Sequence, residues 1–565
     1  MNAFLQRNLK CLPPELRTWI QQAATGPEAA GFCSVESRSG HVVTGAVVAG
    51  RNRFFHSTYD PLREADRLSA GVDTETAIVL GFGTGYHLAP LLRRVARLIV
   101  VEPDLHSIVH ALRRVDLTEA LSHSCLRMVV GEATADLVGS VAELYLPAVH
   151  GSASVVALPG RIQADPDRFA AIQKDLRVGL ELVANDFAVQ AQFGRLWLRN
   201  TIANLAALTS ATRTSGRDLS GSRVYPDLHG HPVVVTAAGP SLNDALGSLS
   251  VTSDVVLLAT DTSLPTLTEA GITPDAVVTV DCQTVSYLHY LTAGFPQTLL
   301  LADLAAPPSV FSAHRRVGPL VSRHPLHRLL RTLGADLQGF DSSGGNVTHA
   351  AVSLAVSLGA ASITVVGADF SYPNGESYAR GSYVHNLFAV QASRTRPWSD
   401  ALYHFARDRP GAYQDEKSPS TLRLPTLDRY REALERLADD VSIPVAIRSG
   451  TDAQVRLRSP TGPRHPGGAP PSGGSARSSA YLPPDILNRL LSLFLSVGDL
   501  NVALFDLPDD ANSHAVATAL LPFVAWYRRV GPARNANDLL QAAHREAIDL
   551  LSHFAHAYDA PVGGR

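Results

Sequence analysis

Strand, glycine turn and helix start follow one another in Val233–Leu242, VVVTAAGPSL. The β-branched run predicts a strand, and Ser241 with Asp244 has the S-x-x-D spacing of a helix cap. Gly239, Pro240, Ser241 and Leu242 would then turn free backbone N–H groups and a positive helix end toward an anion such as a nucleotide phosphate. Asp261, Asp281, Ser343 and Asp369 fall where further strands should end. Open parallel sheets bind ligands outside their carboxyl edge, which makes these four candidates for the same ligand. Ser343, Gly344 and Gly345 form a loop whose hydroxyl and amides suit a carboxylate or phosphate. Asn346 follows as ligand group or helix cap, and Tyr372 lies just past the next strand. An ionised aspartate accepts but cannot donate. Asp261 and Asp281 therefore suit ribose hydroxyls or an amino group, and beside phosphate they would call for a metal.

A second glycine motif lies in Ala77–Asp104, where a strand leads to Gly81-Phe-Gly-Thr-Gly85, then a helix and a strand ending in Glu102. Gly81, Gly83, Gly85 and an acid 17 positions on resemble a βαβ cofactor fingerprint, in which Glu102 would accept from ribose hydroxyls. The opposing reading is a Rossmann-like unit without a ligand. For proton transfer, imidazole titrates near neutrality: His385, in GSYVHN, is the preferred base, and His349, after the Ser/Gly loop, is the alternative. Tyr372, Tyr378 and Tyr383 could protonate or shield a leaving group. No G-x-x-x-x-G-K-[ST], G-x-S-x-G or H-E-x-x-H occurs, which argues against a P-loop kinase, an α/β-hydrolase and a zincin. The second α/β region lacks a D-x-D pair, and no metal site is assigned.

These motifs require elements that hold them at a sheet edge. The chain has 565 residues, long enough for several domains. With 45% hydrophobic and 18% charged residues it reads as an ordinary globular protein. A net charge of −3 does not point to nucleic acid. The four cysteines lack C-x-x-C spacing, so neither zinc nor a disulfide framework is implied. The N-terminus has no signal-peptide core, and Leu490–Leu507 is broken by Asp499 and too short to span a bilayer. A cytoplasmic protein is expected.

The expected organisation is a β-rich segment over 1–60, a Rossmann-like βαβ domain over 61–164 and a helical connector over 165–222. A second α/β domain covers 223–457. A Pro/Gly/Ser-rich linker over 458–481 cannot support a core, and an apolar helical region over 482–565 suits docking or self-association into a homo-oligomer. Asp60 and Pro61 open a helix, and Pro444–Arg448 reads as the last strand.

AAGPSL, PDAVVTVD and SSGGNVTHAA…SLGAASITVVGADFSYPNG together resemble the motility accessory factor family, bacterial glycosyltransferase-like proteins. The same core resembles the archaeal 6-hydroxymethylpterin diphosphokinase MptE-like family and bacterial sialyltransferases. The resemblance covers roughly residues 50–455. It implies an α/β fold with two Rossmann-like or sialyltransferase-like parallel sheets and a helical C-terminal region. It also implies transfer of a nonulosonic, sialic-acid-like sugar from a CMP-sugar to a protein hydroxyl, flagellin being one such acceptor. No cofactor beyond the nucleotide sugar is needed in that reading. The diphosphokinase alternative uses magnesium and ATP, with Asp261 and Asp281 as metal ligands. Two further alternatives are an S-adenosylmethionine-binding protein built on Gly81–Glu102 and a non-catalytic scaffold. The sequence departs from the sialyltransferase pattern at Ala238, where asparagine is usual, and at Asp261 and Asp281, where asparagine is common.

Overall fold

Runs such as TAIVL (Thr76–Leu80) and LLLAD (Leu299–Asp303) are buried throughout, as inner strands of a parallel sheet must be. The computed structural model describes residues 2–25, 31–131, 133–215, 224–249, 255–291, 298–448, 480–506, 510–531 and 535–559. Most of the linker expected over 458–481 lies outside them. The chain forms two compact units, Met1–Gln192 with Leu521–Leu539, and Phe193–Leu520 with Leu540–Arg565.

In the first unit β1 (Phe32–Glu36), β2 (Val42–Val48) and β3 (Arg51–Phe54) make an antiparallel meander. Asp60 caps the next helix by accepting from Arg63 N at 3.0 Å, with Pro61 in its first turn. The strands β4 (Thr76–Leu80), β5 (Arg97–Glu102), β6 (Leu126–Val130) and β7 (Ala153–Ala157) form a parallel sheet in the order β6-β5-β4-β7.

The second unit, among the described residues, holds an eight-stranded parallel sheet. Its strands are β8 (Pro232–Thr236), β9 (Val256–Thr260), β10 (Ala276–Thr279), β11 (Leu299–Asp303), β12 (Val317–Val321), β13 (Gln338–Gly339), β14 (Ser362–Val366) and, after the small hairpin β15 (Tyr413–Gln414) and β16 (Leu422–Arg423), β17 (Val445–Arg448). The order is β13-β12-β11-β10-β9-β8-β14-β17. From β8 the chain winds outward to β13, then returns to lay β14 on the other side of β8. The β8/β14 boundary is therefore the topological switch point, as β4/β7 is in the first unit. Ligands of open α/β sheets enter at such points.

The helix Pro166–Ser215 contributes to both units. In the second, Asn200 donates to Cys282 O and Ala305 O, and Asn204 to Leu304 O and Ala306 O, at 2.7–3.0 Å. Two amides thus hold the loops after β10 and β11. No helix among the described residues is long and apolar enough to cross a membrane.

Candidate functional site

The two switch points share a topology and differ in what fills them. In the first unit Gly81, Gly83, Gly85 and Glu102 stand against other side chains of the same unit. A Cβ at Gly81 would meet Arg161 Cγ at 2.7 Å, one at Gly83 would strike Leu158, and one at Gly85 would meet Leu117 at 2.5 Å. These three glycines are closely packed by side chains of the same unit. Glu102 is fully buried, and its two oxygens accept from Phe82 N, Asp104 N, Arg161 Nε and Arg161 Nη2 at 2.8–3.2 Å. Those four donors match the acceptor sites of a carboxylate. Burial pushes the Glu102 carboxyl pKa up against the pull of Arg161. Sequence spacing found the acid; it could not show that its partner comes 59 residues later, after β7.

At the β8/β14 switch point the glycine turn forms where expected, but its amides are engaged. Gly239 N donates to Gly367 O at 2.7 Å, Ser241 N to Asp369 Oδ2 at 2.9 Å and Leu242 N to Gly239 O at 3.0 Å, while Pro240 has no N–H. Ser241 is helical in φ/ψ and makes no side-chain cap, so the expected Ser241–Asp244 capping box is absent. The helix behind it, Leu242–Ala245, is one turn long, and a dipole that short offers little to an anion. Asp369 thus fastens the β8 turn to the end of β14. A Cβ at Gly239 would strike Asp369. What the turn leaves available is Ser241 Oγ, buried and without a partner.

The Ser/Gly loop is organised by Asp341, which accepts from Ser343 N at 3.0 Å and Ser343 Oγ at 2.9 Å. Asn346 is the cap of the helix Val347–Ser357, accepting from His349 N at 2.9 Å. Gly344 must be glycine, because a Cβ there would run into the His349 ring. His349 is buried beneath the loop, where desolvation lowers its pKa. The crossover from β13 brings this helix's N-terminus to the carboxyl edge. Tyr430 lies against Gly345 and in the field of Asp281, linking loop and strand ends.

The strand-end acids converge on a histidine that the sequence reading missed. Asp261 is buried, accepting from Thr262 N at 2.7 Å and Thr279 Oγ1 at 2.5 Å. Asp281 is exposed at the rim; partial desolvation and then the Asp261 charge push its pKa up. Both charges act on His289, in the 3-10 segment Thr284–Tyr290. Burial lowers the His289 pKa and outweighs the two carboxylates, which raise it. Its Nδ1 is buried without a partner, and its ring meets the Tyr383 ring edge-on at 4.7 Å. Tyr378, which senses Asp261, Tyr372 and Tyr383, is pushed up to about 12 by burial. Tyr372 is buried, and its backbone pairs with Leu422.

The preferred base, His385, has both ring nitrogens buried and without a partner. It lies two residues after Tyr383 on the helix Tyr383–Val390, about 200° round, and its ring packs on Trp398 at 4.7 Å. Tyr383 meets the ring of His289, on which the charges of Asp261 and Asp281 act. A 3-10 segment carries neither helical nor strand periodicity, so no pattern singled out His289. Among the described residues no group of three His, Cys, Asp or Glu stands as a metal-binding cluster. Asp261 is engaged by Thr262 and Thr279.

At the end of β11, burial pushes Asp303 up to about 7 and lowers His327, 3.9 Å away, to about 4. A carboxyl raised in the folded state contributes stability at low pH that is lost as pH rises toward 7. Asp303→Asn keeps an acceptor for Ala305 N. It is expected to stabilise the protein by about 2–4 kcal/mol at pH 8 and by little at pH 4, read from denaturant unfolding at both pH values.

Comparisons with known proteins bear on this geometry. Residues 199–375, which carry the glycine turn, both acids and the Ser/Gly loop, match the family model "6-hydroxymethylpterin diphosphokinase MptE-like". Residues 20–126 match the "Glycosyltransferase Maf N-terminal domain". The structure of the Maf glycosyltransferase from Magnetospirillum magneticum AMB-1 superimposes with a TM-score of 0.59 at 14% identity, covering 99% of this chain and 98% of that one. The fold is that of a Maf glycosyltransferase. The N-terminal match spans the first glycine motif, whose Glu102 pairs with Arg161. Three uncharacterised proteins of Treponema pallidum (strain Nichols) are also similar, at 26%, 32% and 30% identity over 33%, 18% and 23% of this chain. The chain spans 86% of the first relative's length but only 37% and 36% of the other two.

Proposed function

We propose that the protein is a Maf-like glycosyltransferase that passes a nonulosonic, sialic-acid-like sugar from a CMP-linked donor to a hydroxyl on a protein acceptor such as flagellin. The observation that carries this reading is the meeting of Asp261, Asp281 and His289 at the carboxyl edge of the β8–β14 sheet, within the MptE-like segment of a Maf fold. The donor lies along that edge between the Gly239–Leu242 turn and the Ser343–Asn346 loop. Ser241 Oγ supplies a hydrogen bond, and the N-terminus of the helix Val347–Ser357 faces the donor's negative charge. Asp281 accepts from a ribose hydroxyl or the cytosine amino group. His289, neutral because burial lowers its pKa, takes the proton of the attacking hydroxyl. Tyr383 and Tyr378 wall the site and screen the leaving phosphate. The reaction takes place in the cytoplasm.

A thermal-shift panel tests this with CMP, CTP, ATP with magnesium, a pterin and S-adenosylmethionine. A ligand at a hundredfold excess over its Kd adds about 2.7 kcal/mol of stability. CMP or CTP should raise Tm, and Ser241→Ala, which removes the hydroxyl without adding bulk, should reduce that shift while leaving unliganded Tm close to wild type. A shift only with ATP, magnesium and pterin would transfer the MptE-like segment to diphosphokinase chemistry. S-adenosylmethionine should give none, because Arg161 closes the first switch point.

A further inference from the structure

Beside the site lie aliphatic side chains that no described residue covers. Val285, Leu288 and Leu291 are each exposed by more than a third, Leu291 by 60%. Three residues per turn places them on one face of the segment Thr284–Tyr290 and its C-cap. On the helix Tyr383–Val390, Leu387 is 49% and Val390 87% exposed. With Tyr383 they fall at i, i+4 and i+7, one continuous stripe. The opposite face of that helix is engaged: Val384 is buried, His385 packs on Trp398 and Phe388 on Phe405. The His289–Tyr383 ring contact joins the two elements at the proposed acceptor position. Seven residues of helix carry the stripe about 10 Å away from it. Just beyond, Arg394 and Arg396 are exposed, with no ion pair among the described residues.

We propose that this rim is the docking surface for the acceptor polypeptide, an assignment that rests on the transferase reading above. Apolar patches bordered by charge mark protein interaction sites. The chemistry selects a segment with an aliphatic side chain about 10 Å from the accepting hydroxyl and an acidic residue beyond it, opposite Arg394 and Arg396. Two arginines fall short of the roughly four to eight basic residues of an anionic-lipid site. A second copy of the chain on this rim would cover the site it borders.

The experiment compares the full-length protein with Leu387→Asp/Val390→Asp, neither residue being part of the transfer chemistry. Binding is measured by sedimentation with purified flagellin of the source organism, with phosphatidylglycerol vesicles, and with no partner. The expected result is flagellin binding by the wild type, weakened at least tenfold in the double variant at unchanged Tm. Arg394→Glu/Arg396→Glu should weaken it as well. Equal binding by wild type and variant, or no flagellin binding by the wild type, overturns the proposal. So does rim-dependent vesicle binding, or rim-dependent self-association, in place of flagellin binding. CMP release from a CMP-linked nonulosonic donor without acceptor tests the transferase reading separately. Its absence alongside rim-dependent flagellin binding would sink the donor chemistry and leave the surface standing.

Discussion

His289→Ala is expected to lower sugar transfer about 10²–10⁴-fold, the usual worth of a general base, while the CMP-induced Tm shift survives. The imidazole is placed rather than free. Its ring is held edge-on by Tyr383, its Nδ1 is buried without a partner, and the charges of Asp261 and Asp281 act on it. Burial dominates and lowers its pKa from 6.5, so the neutral base form prevails at pH 7. The sign of the pH dependence follows. As pH falls through the depressed pKa, His289 takes up a proton and the rate drops, giving an acidic limb below 6.5. Asp261→Asn and Asp281→Asn each remove a charge that raises this pKa, and each should move the limb to lower pH. His289→Ala should erase the limb along with the rate. His385→Ala should keep the limb and most of the rate, because that ring packs on Trp398. A full rate in His289→Ala, or an acidic limb lost only in His385→Ala, would return the base to His385.

What the sequence revealed, and what it withheld, divide along the range of the interactions. Elements set by local rules were legible. The β-branched run Val233–Val235 made β8, Asn346 capped the helix Val347–Ser357, and Asp60 with Pro61 opened the helix Pro61–Ala70. Strand ends were legible as well, because a buried apolar run must stop where the chain reaches solvent; Asp261, Asp281 and Asp369 stand there as read. What failed depended on distant partners. Ser241 and Asp244 have the spacing of a cap, yet Asp369, 128 residues on, takes the Ser241 N–H instead. Gly81–Glu102 has the spacing of a cofactor site, yet Leu158 and Arg161 fill it. His385 and His289 are equivalent as letters. Folding sets the His289 ring against Tyr383 and the His385 ring against Trp398.

The closed switch point of the first unit gives the largest stability effect expected for a single change. Arg161→Ala should cost roughly 3–5 kcal/mol, as breaking a buried ion pair from one side does. Glu102 is 0% and Arg161 4% exposed in its side chain, with Nη2–Oε1 at 2.8 Å. Removing the guanidinium leaves a carboxylate with two backbone amides, from Phe82 and Asp104, and no countercharge. The same deletion strips a cation from the Phe55 and Phe169 rings, whose centroids lie 5.3 and 5.0 Å from Arg161 Cζ, and opens a void against Gly81. The orphaned carboxylate should then take up a proton, so the loss is greatest at high pH and partly recovered at pH 5. Glu102→Gln should be milder in the wild-type background, since an amide still accepts from at least one backbone N–H. In the Arg161→Ala background it should rescue stability, because it removes the uncompensated charge. Denaturant unfolding of the four proteins gives the coupling directly. A coupling energy near zero, or an Arg161→Ala cost below about 1 kcal/mol, would mean that Arg161 fills space without neutralising Glu102. Arg161 would then hold the switch point by packing, and the two backbone amides would carry the Glu102 charge.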